Sequence, residues 1–370
     1  MSISTATSVS DSRDQAAVPS PAKSNSLINV HNEWDPLEEV LVGTAIGAQV
    51  PTGDKGLFAI RYSDYADIDS MPTGPRSKRI VEETEEDLDA VIRALRQQGV
   101  TIRRPEPTDH TVVFKTPDWE ADGMYNYCPR DIMLPIGNTI IETPMSMRSR
   151  FFEPFAYKNL LIEYLKSGAR WISAPKPRLL DTMYNATDPE SFALLENEPV
   201  FDAANCLRIG RDILYQVSDT GNKLGAEWLQ STLGSDYRVH ACDNLYANTH
   251  IDTTISLLRP GLVLVNPSRI NEDNLPSIFK KWDVLYAPEP IDVGYTEVAY
   301  GSAWIFSMNL LMVNPSLAMV DKSQLPLIKL LEKHNIDCIP LQLRHARTLS
   351  GGFHCVTLDV RRTGTLEDYS

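Results

Sequence analysis

The sequence predicts an α/β fold, a five-module ββαβ propeller with pseudo-fivefold symmetry. Three observations carry that expectation. One order of elements (two short strands around a turn, a helical segment, a third strand) occurs four times in full. The copies recur at about 50 to 75 residues, a spacing that marks stacked modules. A fifth copy is split between the two ends of the chain, and joining first and last strands closes a circular array without exposed edges. An ordinary mixed α/β sheet is the competing reading. In a ring, strand ends and loops would face an axial cavity.

The split module comes first. Glu39-Val-Leu-Val-Gly43 is a strand, a helix follows near 79–98, and Val100-Thr-Ile-Arg103 is the next strand. Its missing partner is Cys355-Val-Thr-Leu-Asp-Val360. The first complete module has Asp131-Ile-Met-Leu-Pro-Ile136, the turn Gly137-Asn138, Thr139-Ile-Ile-Glu-Thr143, a helix over 155–166 and a strand at Arg170-Trp-Ile172. The second has Cys206-Leu-Arg-Ile209, Gly210-Arg211, a strand over 212–217, a helix near 224–233 and Tyr237-Arg-Val-His240. The third has a strand over 253–258, Pro260-Gly261, Leu262-Val-Leu-Val265, a helix near 275–281 and Val284-Leu-Tyr286. The fourth has Leu310-Leu-Met-Val313, Asn314-Pro315, Leu317-Ala-Met-Val320, a helix near 324–334 and Cys338-Ile-Pro-Leu341. Short β-rich runs bounded by Gly, Pro or Asn signal the hairpins, and apolar residues at helical spacing signal the crossovers.

Composition agrees with a folded chain: 370 residues, 42% apolar and 23% charged. Lys plus Arg is 35 against 49 Asp plus Glu, a net charge of -14. That field repels polyphosphate, so neither nucleic acid nor a membrane surface is an expected partner. No apolar run reaches the roughly 18 residues of a membrane helix. The cysteines at 128, 206, 242, 338 and 355 contain no CxxC pair, which argues against disulfides or structural zinc and for a reducing cytoplasm. No His/Cys/Asp cluster has ligand spacing, so no metal or cofactor is expected. Residues 1–27 are rich in Ser, Ala and Thr and lack an apolar stretch, so they read as a disordered tail before a single domain over 28–370.

Several segments carry chemistry-bearing residues. In Ser350-Gly-Gly-Phe-His-Cys355, paired glycines allow close approach to a ligand, and Cys355 at a strand start is placed as a nucleophile. Read alone, it is equally a small buried hydrophobe. In Thr249-His-Ile-Asp252, read as a strand start, alternation puts His250 and Asp252 on one face. A histidine there shuttles protons or is a hydrogen-bonded core residue, and the carboxylate could bind a cation. Asp202 in Phe201-Asp-Ala-Ala-Asn205 reads alone as a turn or cap residue, and Pro129-Arg-Asp131 as a surface ion pair.

Taken together and in order, Phe201-Asp-Ala-Ala204, Thr249-His-Ile-Asp252, Asn266-Pro-Ser-Arg269, Gly301-Ser-Ala-Trp304 and the run from Gly351 to Arg362 resemble the arginine amidinotransferases. This is the family of glycine amidinotransferase and inosamine-phosphate amidinotransferase. The likeness runs from about residue 29 to the C-terminus. It is nearer the antibiotic-pathway branch, notably in the segments starting at Val30 and Lys115. It implies a pentein-type propeller, a catalytic domain over 28–370, and L-arginine and an amine acceptor as small-molecule substrates. A homodimer is compatible with it.

By resemblance, Cys355 attacks the guanidinium carbon as a thiolate, although a free thiol has a pKa of about 8.5. Asp131 and Asp252 would grip the guanidinium nitrogens. His250 would protonate the departing amine and deprotonate the incoming one, oriented by Asp202. Arg269 and Ser302 would bind the α-carboxylate. Asn205 departs from the glycine-type branch, which has aspartate there. Thr249 and Ala247 stand where that branch places a bulky methionine and an asparagine, so the acceptor end is opened for an amine larger than glycine. The favoured acceptor is lysine, giving homoarginine for a toxin, because Arg103-Arg104, Arg148/Arg150 and Arg361-Arg362 offer no phosphate cradle. A scyllo-inosamine phosphate acceptor, an arginine deiminase-like hydrolase and an inactive binding module are the alternatives. The presence of Cys355, His250, Asp202, Asp131 and Asp252 together argues against the last.

Overall fold

The computed structural model describes residues 26–188, 191–295, 297 and 301–370. Of the expected tail only Ser26 and Leu27 fall inside that range, and the rest lies outside the described residues. Among the described residues are five three-stranded sheets of one pattern, the first strand antiparallel to the second and the second parallel to the third. In the split module Thr357–Arg362 pairs antiparallel with Leu37–Val42, which runs parallel to Thr101–Arg103. The others are Met133–Ile136, Thr139–Glu142 and Arg170–Ser173; Cys206–Ile209, Asp212–Gln216 and Arg238–Cys242; Ile255–Arg259, Leu262–Val265 and Asp283–Tyr286; Leu311–Asn314, Leu317–Asp321 and Asp337–Leu341.

The hairpins turn where the sequence places Gly137, Gly210 and Gly261, each at positive φ (58°, 65° and 78°) that a side chain would resist. Parallel neighbours need a crossover, and helices Lys78–Gln97, Lys158–Lys166, Lys223–Leu233 and Leu325–Lys333 supply four. Lys78–Gln97 shows why: Ser77 caps its first turn, and Ile80, Leu88, Val91, Ile92 and Leu95 form one buried stripe.

The helix expected near 275–281 does not form. Only the 3-10 turn Ser277–Phe279 is present. Pro276 removes a donor, and ahead of it the Asn271 and Asn274 side chains accept the N–H groups of Asp273 and Asn271, diverting the backbone into turns.

Each sheet shares its apolar core with a neighbour. Leu41 and Leu358 pack with Ile132 and Ile140, Ile141 with Ile213, Leu214 with Leu264 and Met312, and Met319 with Val42. Burying both faces in this way is what short three-stranded sheets require. Among the described residues no helix is long and apolar enough to cross a membrane.

Candidate active site

Each module delivers a polar residue from the same place, the turn just ahead of its first strand. Asp131 closes the turn Pro129–Asp131 before Met133–Ile136. Asp202 precedes Ala203–Asn205 and the strand Cys206–Ile209. His250 and Asp252 belong to the turn leading into Ile255–Arg259. Asn309 follows helix Ile305–Met308 and precedes Leu311–Asn314. Cys355 lies in a turn before Thr357–Arg362.

Three local expectations therefore change. His250 and Asp252 share an orientation through a tight turn, not through strand alternation. Cys355 stands ahead of the strand rather than at its start. Arg130 and Asp131, expected as a surface ion pair, are both buried and pair elsewhere.

A cleft opens among these turns, and Cys355, His250, Asp252, Thr249, Arg269 and Ser302 are on its wall. Asp131 and Asp202 are buried and off the wall. Ala247, expected in the acceptor pocket, is exposed and does not line the cleft. Tyr246, Asn248, Asn309 and Ser350 do line it; of these only Ser350 fell in a segment that the sequence marked, and without a role.

The His250 imidazole lies between two carboxylates. Its Nε2 is 3.0 Å from Asp202 Oδ2, and its Nδ1 is 3.6 Å from Asp131 Oδ1. Burial alone would depress its pKa, but Asp131 and then Asp202 outweigh burial and hold the imidazole above its ordinary value. Asp202 is fixed by the Ser146 N–H at 2.9 Å. Asp131 Oδ2 accepts from Arg150 Nη1 at 2.6 Å, and its Oδ1, also buried, has no hydrogen-bond partner.

Cys355 donates its thiol proton to Asp252 Oδ2 at 3.0 Å, and Asn309 Nδ2 donates to the sulfur at 3.0 Å. A hydrogen bond with the Cys128 thiol, burial and the Asp252 charge push the Cys355 thiol well above its ordinary value. Burial would raise Asp252 too, but His354 overcomes it and brings that carboxyl down to about 2. His354 Nδ1 is 3.2 Å from Asp252 Oδ2, and its Nε2 is 3.3 Å from Glu33 Oε2.

Behind this bridge lies a buried ionic network. Glu33 accepts from Arg208 Nη2 at 2.7 Å, and Asp359 accepts from Arg208 at 2.8 Å and from Arg130 at 2.6 Å. His354 stands directly before Cys355, with Phe353 between it and the paired glycines, and that adjacency to Cys355 was the one signal that could have marked it. Arg269 is held by the Thr253 and Thr254 hydroxyls at 2.7 and 2.9 Å, and its guanidinium carbon sits 3.5 Å from the Tyr246 ring centre. Among the described residues no group of three or more His, Cys, Asp or Glu could hold a metal ion.

No family model matches the chain. It is 57% identical over 346 residues to inosamine-phosphate amidinotransferase 1 of Streptomyces glaucescens, spanning 93% of this chain and 99% of that one. This chain belongs to the amidinotransferase family. Its place is in the antibiotic and toxin branch. Mitochondrial glycine amidinotransferase of Gallus gallus is 40% identical over 372 residues, covering 95% of this chain and 86% of the relative. The solved structure of an amidinotransferase in the saxitoxin biosynthetic pathway of Microseira wollei matches with a TM-score of 0.86 at 40% identity, over 93% of this chain and 100% of that one. DDAH from Pseudomonas aeruginosa, 14% identical with a TM-score of 0.55 over 87% of this chain and 99% of that one, shares the α/β pentein fold alone. As an amidinotransferase the chain acts on small molecules.

Proposed function

We propose that this amidinotransferase takes the amidino group of L-arginine onto Cys355 and passes it to a primary amine larger than glycine. The carrying observation is that the Cys355–Asp252 contact and the His250–Asp202 pair open onto one cleft with Arg269 and Ser302. Arg269 and Ser302 receive the α-carboxylate of arginine. The guanidinium enters beside Asp252 on the wall, and its N–H groups reach past the wall toward the buried Oδ1 of Asp131, which has no hydrogen-bond partner and faces His250 Nδ1.

The arriving cation replaces the thiol proton as partner of Asp252, and that proton leaves to solvent. The thiolate attacks the guanidinium carbon. As the C–N bond breaks, the His250 imidazolium protonates the departing nitrogen, ornithine leaves, and a cationic amidino-cysteine remains beside neutral imidazole. The acceptor ammonium gives one proton to solvent, and the free amine attacks the amidino carbon; His250 takes a second proton from the attacking nitrogen as the thiolate is expelled and the new guanidinium leaves. Asp202 orients the imidazole and stabilises its charged form.

The preferred acceptor is scyllo-inosamine phosphate. The 57% identity to a relative named for that substrate class supports it. So does the cleft wall, where Tyr246, Asn248, Thr249 and Ser350 offer the hydrogen-bonding groups a polyol needs. The case for lysine rested on the lack of a phosphate cradle. Arg61 Nη1, however, donates to Ser350 Oγ at 3.2 Å and brings a cation to the cleft edge. Ala247 drops out of the acceptor pocket.

The shared cores and the first-to-last strand pairing support closure of the five modules into a pseudo-fivefold ring, and a single catalytic domain over 28–370. Five free cysteines support a cytoplasmic setting. The test is incubation with labelled arginine and a panel of glycine, lysine, ornithine and scyllo-inosamine phosphate. Ornithine formed only with an amine, and the phosphorylated cyclitol ranking first by kcat/KM, is the expected result. Citrulline would mean a hydrolase, glycine first would refute the open pocket, and lysine first would restore the homoarginine reading.

A further inference from the structure

We infer that Asn309 is a catalytic residue, its side-chain amide donating a hydrogen bond that stabilises the Cys355 thiolate both when it attacks arginine and when it leaves in the second transfer. The inference rests on the reading of Cys355 as the nucleophile. Asn309 Nδ2 lies 3.0 Å from the sulfur, while Asn309 Oδ1 accepts the Cys355 backbone N–H, also at 3.0 Å. The second bond fixes the first. Turning the amide over would set two N–H groups against each other and put the oxygen lone pairs against sulfur, so the NH2 end is held on Sγ.

The surrounding backbone is built for this contact. Asn309 is 1% exposed, and its carbonyl accepts the His354 N–H at 3.2 Å. A Cβ at Gly352 would sit 2.7 Å from Asn309 Cβ and 2.9 Å from its Oδ1. Gly352 is not at positive φ, so glycine is required there for space rather than for backbone conformation. The second glycine of the Gly351-Gly352 pair is thus accounted for by Asn309. In chain position Asn309 also matches Asp131 and Cys355, each two residues before the first strand of its module.

The electrostatics give the donor a task. The other groups around the sulfur (the Cys128 thiol, Asp252 and Asp131) all oppose the thiolate. The nearby His354 imidazole is engaged with Asp252 and Glu33. A hydrogen bond to a charged sulfur from a buried, pre-oriented amide therefore acts where charge develops.

The experiment compares wild type with Asn309→Ala and the near-isosteric Asn309→Asp, which keeps the shape and removes the N–H donor. Thermal unfolding establishes that each is folded. The readouts are the pH dependence of Cys355 alkylation by iodoacetamide without arginine, mapped to its peptide, and kcat and KM for arginine. Both variants should alkylate roughly 10- to 100-fold more slowly at pH 8, with the profile displaced to alkaline pH. Asn309→Asp should be displaced further, because a carboxylate faces the sulfur. kcat should fall by a similar factor while KM for arginine moves less than about threefold. A folded Asn309→Asp with the wild-type alkylation profile and kcat would overturn the assignment. Failure of the underlying reading looks different: wild type quenched with arginine would then carry no amidino group on the Cys355 peptide.

Discussion

Nε2 of His250 lies 3.0 Å from Oδ2 of Asp202, although 48 positions separate the two residues. The contact joins the turns ahead of two successive modules and leaves Nδ1 facing Asp131. The two carboxylates favour the protonated imidazole and fix its orientation, as a proton donor to a leaving amine requires.

Asp202→Asn should keep the geometry and remove one of the two charges that hold the imidazolium. Ornithine release should slow by about 10²- to 10⁴-fold in kcat, with KM for arginine little changed, because Asp202 is off the cleft wall. Steady-state assays with the amine acceptor measure this. Activity within twofold of wild type would remove Asp202 from the proton pathway.

The pH dependence follows from two raised values. The reactive form pairs Cys355 thiolate with His250 imidazolium. His250 lies above 6.5 and Cys355 well above 9.0. Below the imidazole value only the thiolate fraction changes, so kcat/KM for arginine should rise with pH. It should level off between the two values and fall only once the thiol itself titrates. An optimum below pH 6.5 would contradict the assignment.

Cys355→Ser should abolish transfer with the fold retained, since a hydroxyl lacks the thiolate's nucleophilicity. Wild type quenched with arginine alone should carry a single amidino group. Peptide mapping decides between Cys355 and its hydrogen-bonded neighbour Cys128. Parallel lines in double-reciprocal plots should accompany the adduct, because ornithine leaves before the acceptor enters.

Acid should unfold the protein through its buried carboxylates. Glu33, Asp252 and Asp359 are all held below their ordinary values, Asp252 at about 2. A depressed carboxylate contributes stability above its unfolded pKa and loses it as pH falls through the folded one. Tm should therefore drop steeply from about pH 4 towards pH 2. Arg208→Met, which strips the shared cation from Glu33 and Asp359, should cost about 3–5 kcal/mol at pH 7 by urea titration. A loss below about 1 kcal/mol would show that Arg130, together with Arg362, whose Nε donates to Asp359 Oδ2, suffices.

The strand pairs, their turns and four of the five crossover helices were legible because each depends on residues within one module. Alternation, turn glycines and helical spacing act over a few positions. The helix near 275–281 failed for a local reason as well, since Pro276 and the Asx turns before it outweigh the apolar spacing. The site was legible only in part. Motif resemblance pointed to Cys355, His250, Asp252, Arg269, Ser302 and Thr249, which share the cleft wall, but it also pointed to Ala247, which does not.

Asn309, His354 and the buried Arg130 and Arg208 were decided by tertiary structure alone. Cys355 meets Asp252 across 103 positions, and His354 meets Glu33 across 321. No local periodicity encodes such pairs. Whether a polar group ends exposed, paired or desolvated depends on which chain segments pack beside it. Desolvation and the neighbouring charges then set the protonation states. The sequence by itself determined where the strands and four helices run, to within a few residues, but it put Asp131, His250, Asp252 and Cys355 at strand starts rather than in the turns ahead of them. Packing of the modules decided which of those residues would face one another out of water, and it is there that a thiol, an imidazole and their carboxylates acquire shifted pKa values.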